Sequence, residues 1–329
     1  MSYFSIGVDL GGTNLRIAAV DDTGRILETI TTSTEVARGR DLVVTEMCDA
    51  IRSLAVKFHS SGALQGIGIG VPGIINMKSG MILKSPNLPG WEDYPVREEI
   101  ERKLSTTVIL ENDANAAALG EKWLGAGRDE SDLCMLTLGT GVGGGLVLNG
   151  KVWHGMTGMA GELGHITVDP NGVPCGCGSK GCLEQYASAT AIKRMAREAV
   201  ARGGAPELEK LSRAESPFDA KAIYDLAMRG DPPAKAVFQK AGEALGVIIA
   251  GMINALNLPM YVVGGGVSNS WDAFVAPMME QVHLRSFVYV ATQGADPKSP
   301  PIQPTIIRRA LLGGDAGLLG AARLPAISG

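Results

Sequence analysis

Tyr3-Phe4-Ser5-Ile6-Gly7-Val8-Asp9-Leu10-Gly11-Gly12-Thr13-Asn14 opens the chain with a strand-like run that ends in a double-glycine turn. Residues 14–20 read as a second strand. After the turn at Asp22-Thr23-Gly24, residues 25–31 read as a third, which makes a β-meander. The same order returns later: a strand at 133–138, a glycine loop at 139–145 and a strand at 146–148. Asn149-Gly150 then forms a type I′ hairpin turn, and residues 151–153 return. This recurrence predicts two related α/β lobes, each presenting a glycine hairpin to a shared central cleft.

Between the two meanders, residues 41–59 have helical spacing, with Leu42, Val43, Met47, Ile51, Leu54 and Phe58 on one side. Residues 66–71 form a short buried strand closed by Pro72-Gly73. Another strand, 107–110, runs into Glu111-Asn112-Asp113 and an alanine-rich helix at 114–123. Helices are expected at 188–202, 218–229 and 232–256, and residues 203–217 look most like a loop. A strand at 260–263 ends in Gly264-Gly265-Gly266, and a last strand at 305–307 precedes a short helix at 314–322. The expected division is a first lobe over 1–113 and a second over 114–310 that carries the loop 161–184. The C-terminal helix, about 311–329, is expected to pack back on the first lobe.

The chain has 329 residues, 45% hydrophobic and 19% charged, which suits an ordinary globular protein with room for two lobes. The net charge of −4, with scattered Lys and Arg, does not indicate a nucleic-acid surface. Asp9 interrupts the first apolar stretch and no basic segment precedes it, so it reads as a strand and not a secretory signal. The apolar stretch 246–256 is interrupted by Asn254 and is too short to span a bilayer. A cytoplasmic protein with no membrane partner is expected. Cys48 and Cys134 stand alone in apolar surroundings and read as core residues. The other three of the five cysteines crowd into eight residues, which fits a metal in a reducing compartment better than a disulfide framework.

Four segments carry chemistry. In Asp9-Leu10-Gly11-Gly12-Thr13-Asn14 the glycines let backbone N–H groups approach an anion, and Asp9 can hold Mg²⁺ directly or through water. Leu138-Gly139-Thr140-Gly141-Val142-Gly143-Gly144-Gly145 offers a second such loop. Strand residues follow it, so it is neither a P-loop nor a dinucleotide fingerprint. Asp113 ends a strand and starts a helix. It is placed either to take a proton from an alcohol during phosphoryl transfer or merely to cap the helix, and Asn112 can bond sugar hydroxyls. His165, Cys175, Cys177 and Cys182 make a closed tetrahedral Zn²⁺ set, the alternative being a redox role for Cys175 and Cys177. Glu162 and Glu184 bracket this loop, as suits bidentate binding of vicinal hydroxyls. His59, His154 and His283 have no comparable partners and read as structural or surface residues.

Asp9-Leu10-Gly11-Gly12-Thr13, Glu162-Leu163-Gly164-His165 and Cys175-Gly-Cys-Gly-Ser-Lys-Gly-Cys182-Leu-Glu184 together resemble the ROK family of repressors, open reading frames and kinases. The spacing of ten from His165 to Cys175 agrees with that family's zinc loop. Residues 85–91, 111–115 and 138–145 look most like its bacterial ATP-dependent glucokinases. The resemblance implies an α/β, actin-like (ribonuclease-H-like) ATPase fold of two lobes, with ATP in the cleft. It implies Asp113 as base, with Asn87, Asn112, Glu162, His165 and Glu184 holding the sugar. His165 would serve both zinc and a sugar hydroxyl, and Gly265 and Gly266 would lie near the adenosine. The implied reaction is phosphorylation of glucose at its 6-hydroxyl. N-acetylmannosamine, N-acetylglucosamine or fructose are alternative substrates, and a sugar sensor without turnover is the competing class. A homodimer or tetramer is implied. The family's repressors place a helix-turn-helix ahead of the first glycine turn, and Asp9 is expected to leave no room for one.

Overall fold

The structure is a computed structural model that describes residues 2–215, 217–293 and 303–327. The ends of two sequence expectations, residue 1 of the first lobe and 328–329 of the last helix, lie outside the described residues, as do 216 and 294–302 within the second lobe. The chain begins with β1 (Tyr3–Leu10), β2 (Asn14–Asp21) and β3 (Ile26–Ser33), paired antiparallel as a meander. Then come α1 (Arg40–Phe58), β4 (Ala63–Val71), the small hairpin β5 (Ile74–Asn76) and β6 (Met81–Lys84), α2 (Val96–Leu104), β7 (Ile109–Asn112) and α3 (Asp113–Trp123). The second meander is β8 (Leu133–Leu138), β9 (Val142–Leu148) and β10 (Lys151–Val152). It is followed by α4 (Glu184–Ala187), α5 (Ala189–Arg202), α6 (Pro206–Arg213), α7 (Ala220–Met228) and α8 (Pro232–Leu256). The described chain closes with β11 (Met260–Gly264), α9 (Trp271–Arg285), α10 (Phe287–Gln293), β12 (Ile306–Arg309) and α11 (Ala316–Ile327).

One five-stranded sheet has the order β3-β2-β1-β4-β7 and the other β10-β9-β8-β11-β12, so the two match position by position. In the first, β1 runs parallel to β4 and β4 to β7, with Asp9 opposite Gly70 and Gly70 opposite Glu111. Three parallel strands therefore end along one edge, the usual place for a ligand in an α/β sheet. The chain divides into two compact units: Met1–Leu133 with Gly145–Gly161 and Leu311–Gly329, and Cys134–Gly144 with Glu162–Ala310.

Within the first unit, β1 is buried from Phe4 through Val8, as a strand covered on both faces must be. Contacts of α1 and α11 with β1 account for this burial. α1 buries Val43, Val44, Met47, Cys48, Ile51 and Leu54, the i, i+3, i+4 stripe. α11 comes close because small residues meet it. A Cβ at Gly68 would lie 1.9 Å from the Ala321 carbonyl oxygen, and one at Gly320 would lie 1.6 Å from that of Ala116 on α3.

Several elements depart from the sequence reading. The strand expected at 107–110 runs Ile109–Asn112 and so carries Glu111 and Asn112. The expected loop 203–217 contains α6, started by Pro206 at its first position and anchored by buried Leu208. α2, α9 and α10 are not among the expected elements, although α2 has Glu98 and Glu99 in its first turn and Arg102 and Lys103 in its last; Pro277 inside α9 reads as a breaker. In the second unit α8 is one helix of 25 residues, so the argument that its apolar stretch is too short for a bilayer does not hold. Asn254 does not break it: its Nδ2 donates to the Arg285 carbonyl at 3.1 Å and its Oδ1 accepts from Ser286 Oγ at 3.0 Å. The same helix buries Val237, Phe238, Leu245, Ile248, Ile249 and Ile253, the pattern of a core helix.

Candidate active site and metal centre

In the first unit the β7–α3 corner assigns the cap. Asn112, not Asp113, is the N-cap: its Oδ1 accepts from the N–H groups of Ala114 at 2.9 Å and Asn115 at 3.2 Å. Its Nδ2 donates to the Gly73 carbonyl at 3.2 Å. Asn112 therefore has one amide hydrogen to offer a ligand, not the donor and acceptor pair expected from sequence. Asp113 takes the first helical position, with Oδ1 accepting from Ala114 N–H at 2.9 Å, where the helix dipole favours the carboxylate.

Asp9 sits opposite Arg16 across the first hairpin. Burial pushes its carboxyl up from the usual range, and the Arg16 guanidinium opposes this. Arg16 is itself fixed by the Gly314 carbonyl and Asp315 Oδ1, both at 2.5 Å, just before α11. The glycine turn is closed by Gly11 N–H donating to the Asn14 carbonyl at 2.9 Å, and the Thr13 carbonyl accepts from Thr34 N–H at 2.7 Å. Gly11 thus spends its N–H inside the turn. A Cβ at Gly12 would lie 2.5 Å from the Asn87 carbonyl oxygen, so Asn87 and the glycine turn are brought together by the absence of a side chain.

In the second unit the glycine loop, the first turn of α5 and Glu184 form one cluster. The carbonyls of Gly139 and Thr140 accept from Ala189 N–H at 2.9 Å and Thr190 Oγ1 at 2.8 Å. Glu184 Oε2 accepts from Val142 N–H at 3.0 Å, and a Cβ at Gly141 would lie 2.4 Å from that oxygen. One oxygen of Glu184 is therefore used to hold the loop. Gly143 follows on β9. Gly265, with φ +80°, lies against β8: a Cβ there would meet the Leu138 carbonyl oxygen at 2.5 Å. Ser268 Oγ donates to its carbonyl at 2.7 Å, starting the turn that Gly266 opens.

The four ligand atoms of His165, Cys175, Cys177 and Cys182 lie within 4.8 Å of one another. His165 Nδ1 is 3.7 Å from Cys175 Sγ, and Cys177 Sγ is 3.7 Å from Cys182 Sγ. A tetrahedral Zn²⁺ with ordinary bond lengths needs about 3.8 Å between sulfurs and about 3.6 Å between sulfur and nitrogen, so the donor set fits. Burial, and then the neighbouring Cys177 and Cys175 thiols, push the Cys182 thiol up, and a cation among the four groups would favour its thiolate. Cys175 N–H donates to the Ser179 carbonyl at 2.8 Å, and Gly178 turns the loop at φ +95°. It is Nδ1 of His165 that faces Cys175, and Glu162 lies one turn before the ring, its carbonyl accepting from His165 N–H at 3.1 Å.

Two contacts escaped the sequence reading. His154 Nε2 meets Glu111 Oε2 at 2.7 Å, so this histidine does have a partner. Glu111 is buried at 2% exposure, a signal visible only as a charge at the end of an apolar strand. Gln185 Nε2 donates to Cys175 Sγ at 3.6 Å, a contact that orients one ligand of the metal loop. Cys48 and Cys134 are buried, as their surroundings suggested.

The model of the ROK family matches residues 5–326. The chain belongs to that family. This ROK chain is 38% identical to a glucokinase of Thermotoga maritima over 97% of its length and 96% of the relative. It is 40% identical to a glucokinase of Halalkalibacterium halodurans over 96% of its length and 92% of the relative. A crystal structure of a ROK glucokinase from Streptomyces griseus in complex with glucose and AMPPNP superimposes with a TM-score of 0.77 at 34% identity, covering 98% of each chain. With such neighbours, the fold is the α/β actin-like ATPase fold of ROK sugar kinases.

Proposed function

We propose that this ROK protein is an ATP-dependent hexokinase-type phosphotransferase that converts glucose to glucose 6-phosphate. The observation that carries the reading is the β7–α3 corner, where Asp113 occupies the first helical position beside an asparagine already committed to capping. Asp113 takes the proton of the 6-hydroxyl as that oxygen attacks the γ-phosphorus. The new O–P bond forms while the bond to the β–γ bridging oxygen breaks, and ADP leaves. The remaining amide hydrogen of Asn112, the second oxygen of Glu184, Glu162, Asn87 and His165 Nε2 bind the sugar hydroxyls. The N–H groups of Gly12 and Thr13, with Asn14 ending the turn, meet the phosphates, as does the loop of Thr140, Gly141 and Gly143. Gly265 and Gly266 flank the adenosine.

Asp9 would hold Mg²⁺, which neutralises charge on the transferring phosphoryl group. A resident Zn²⁺ on His165, Cys175, Cys177 and Cys182 would fix the His165 ring and stiffen the segment between Glu162 and Glu184. A homodimer or tetramer working in the cytoplasm completes the reading. ADP release is measured against a panel of glucose, fructose, N-acetylmannosamine and N-acetylglucosamine. Glucose should give the highest kcat/KM, and Asp113→Asn should lower kcat by about a hundredfold or more. No turnover with any hexose would end the kinase reading, and unchanged turnover in Asp113→Asn would remove the base.

A further inference from the structure

The proposed chemistry gives no role to Glu111 and His154, yet Glu111 adjoins Asn112 and lies two residues from Asp113, and His154 contacts it. Glu111 is a buried carboxylate held by three hydrogen bonds among the described residues. Its Oε1 accepts from the Asn112 backbone N–H at 2.9 Å and from Asn115 Nδ2 at 3.0 Å, and its Oε2 accepts from His154 Nε2 at 2.7 Å. A carboxylate so placed is costly unless paired, and among the described residues His154 is its one ion-pair partner. Glu111 therefore ties three things together: the strand end that bears the cap, the first turn of α3 through Asn115, and the segment after β10 through His154.

That segment also runs close to β5, where a Cβ at Gly158 would lie 2.8 Å from Met77 Cγ. The Ala160 N–H donates to the His154 carbonyl at 3.1 Å, which closes a loop over residues 154–160. The loop leaves Met156 98% exposed and Trp153, just before it, 49% exposed, so burial of its own apolar side chains does not dock it. The His154 ring is its polar anchor, on the partner that also fixes the Asn112 backbone. Fixing a base to within a fraction of an ångström matters, because a misplacement of 1 Å can cost about a hundredfold in rate.

We infer that His154 is a positioning residue for phosphoryl transfer: through Glu111 it holds the Asn112–Asp113 corner, and with it the loop that leads to Glu162, in working geometry. The inference rests on the reading of Asp113 as base. The test measures kcat, KM for glucose, KM for ATP and melting temperature for wild type, His154→Leu, His154→Gln and Asp113→Asn, all well below the melting temperatures. His154→Leu should lower kcat about tenfold with KM for ATP unchanged, because the base is displaced and not the nucleotide site. The His154→Gln amide can donate to the same oxygen and should recover kcat to within about threefold of wild type. Should His154→Leu not fold, His154→Phe keeps the ring volume without a donor and should show the same loss. Wild-type kcat in the variants without a donor would overturn the inference, and so would His154→Gln as slow as they are. Asp113→Asn separates the two readings. If it is inactive while His154→Leu is normal, only the positioning role falls; if it stays active, the base reading falls first.

Discussion

Asn112 and Asp113 share a boundary at which Asn112 caps the helix and Asp113, the proposed base, takes its first position. Asn112 accepts from two N–H groups, so Asn112→Ala should cost about 1 kcal/mol in stability, read by chemical denaturation, with a separate loss of sugar affinity. The adjacent pair was legible as a strand end meeting a helix start, but its division of labour was not, because either residue type can cap. His154 was not legible at all: its partner is 43 residues away in sequence. The hydrogen bond to Glu111 first, then its charge, raises the His154 pKa above its usual 6.5, against the opposing effect of burial. Such a pair contributes stability that is fully present below about pH 6.5 and is lost as pH rises through the raised folded value. The melting temperature should therefore fall across that window in wild type and flatten in His154→Gln; identical pH profiles would show that the pair does not titrate on folding. Cys134 was legible as a core residue, and burial pushes its thiol up to about 12. It should resist alkylation until the protein unfolds, as mass spectrometry after iodoacetamide treatment would show.

Strands, turns and the long helices follow local rules, and most were readable. Asp231 caps α8 through Ala234 N–H, Pro232 opens it and Asn257 closes it in the left-handed region, all signals present in the sequence. α9 has Asp272 in its first turn, His283 and Arg285 in its last and a buried stripe of Phe274, Met278 and Val282, but Pro277 sits inside it, and its packing on α8 holds it as a helix. The glycines of α3 and α11 carry a message that one chain segment cannot show. Gly120 and Gly320 face each other's helices, with Cβ positions 2.1 Å from the Ala316 carbonyl and 1.6 Å from the Ala116 carbonyl. Gly320→Ala, a good helix residue by propensity, should destabilise the protein by about 1–3 kcal/mol or more because α11 must move off α3. An unchanged denaturation midpoint would show that the two helices can separate without cost.

For the molecule as a whole, the proposed metal loop would link stability to sugar binding, because Glu162 and Glu184 bracket four converging candidate ligands and Glu184 also holds Val142 of the glycine loop. Chelation or Cys177→Ser should lower the melting temperature and raise KM for glucose together, as metal affinity is part of folding energy in such sites. A drop in melting temperature with KM unchanged would leave the metal a staple without a part in binding. The sequence by itself determined the two meanders, the glycine turns, the Cys₃His ligand set and the ROK kinship, since each depends on residue types at short, fixed spacing. Tertiary structure alone decided that Asn112 caps α3, that Glu111 pairs with His154, that one oxygen of Glu184 serves the glycine loop, and that α3 and α11 meet through glycine. The cap is local, but two adjacent residues could each have served it; the other contacts join residues far apart in the chain, and no local propensity or periodicity encodes which distant partner a buried polar group or a bare backbone will meet.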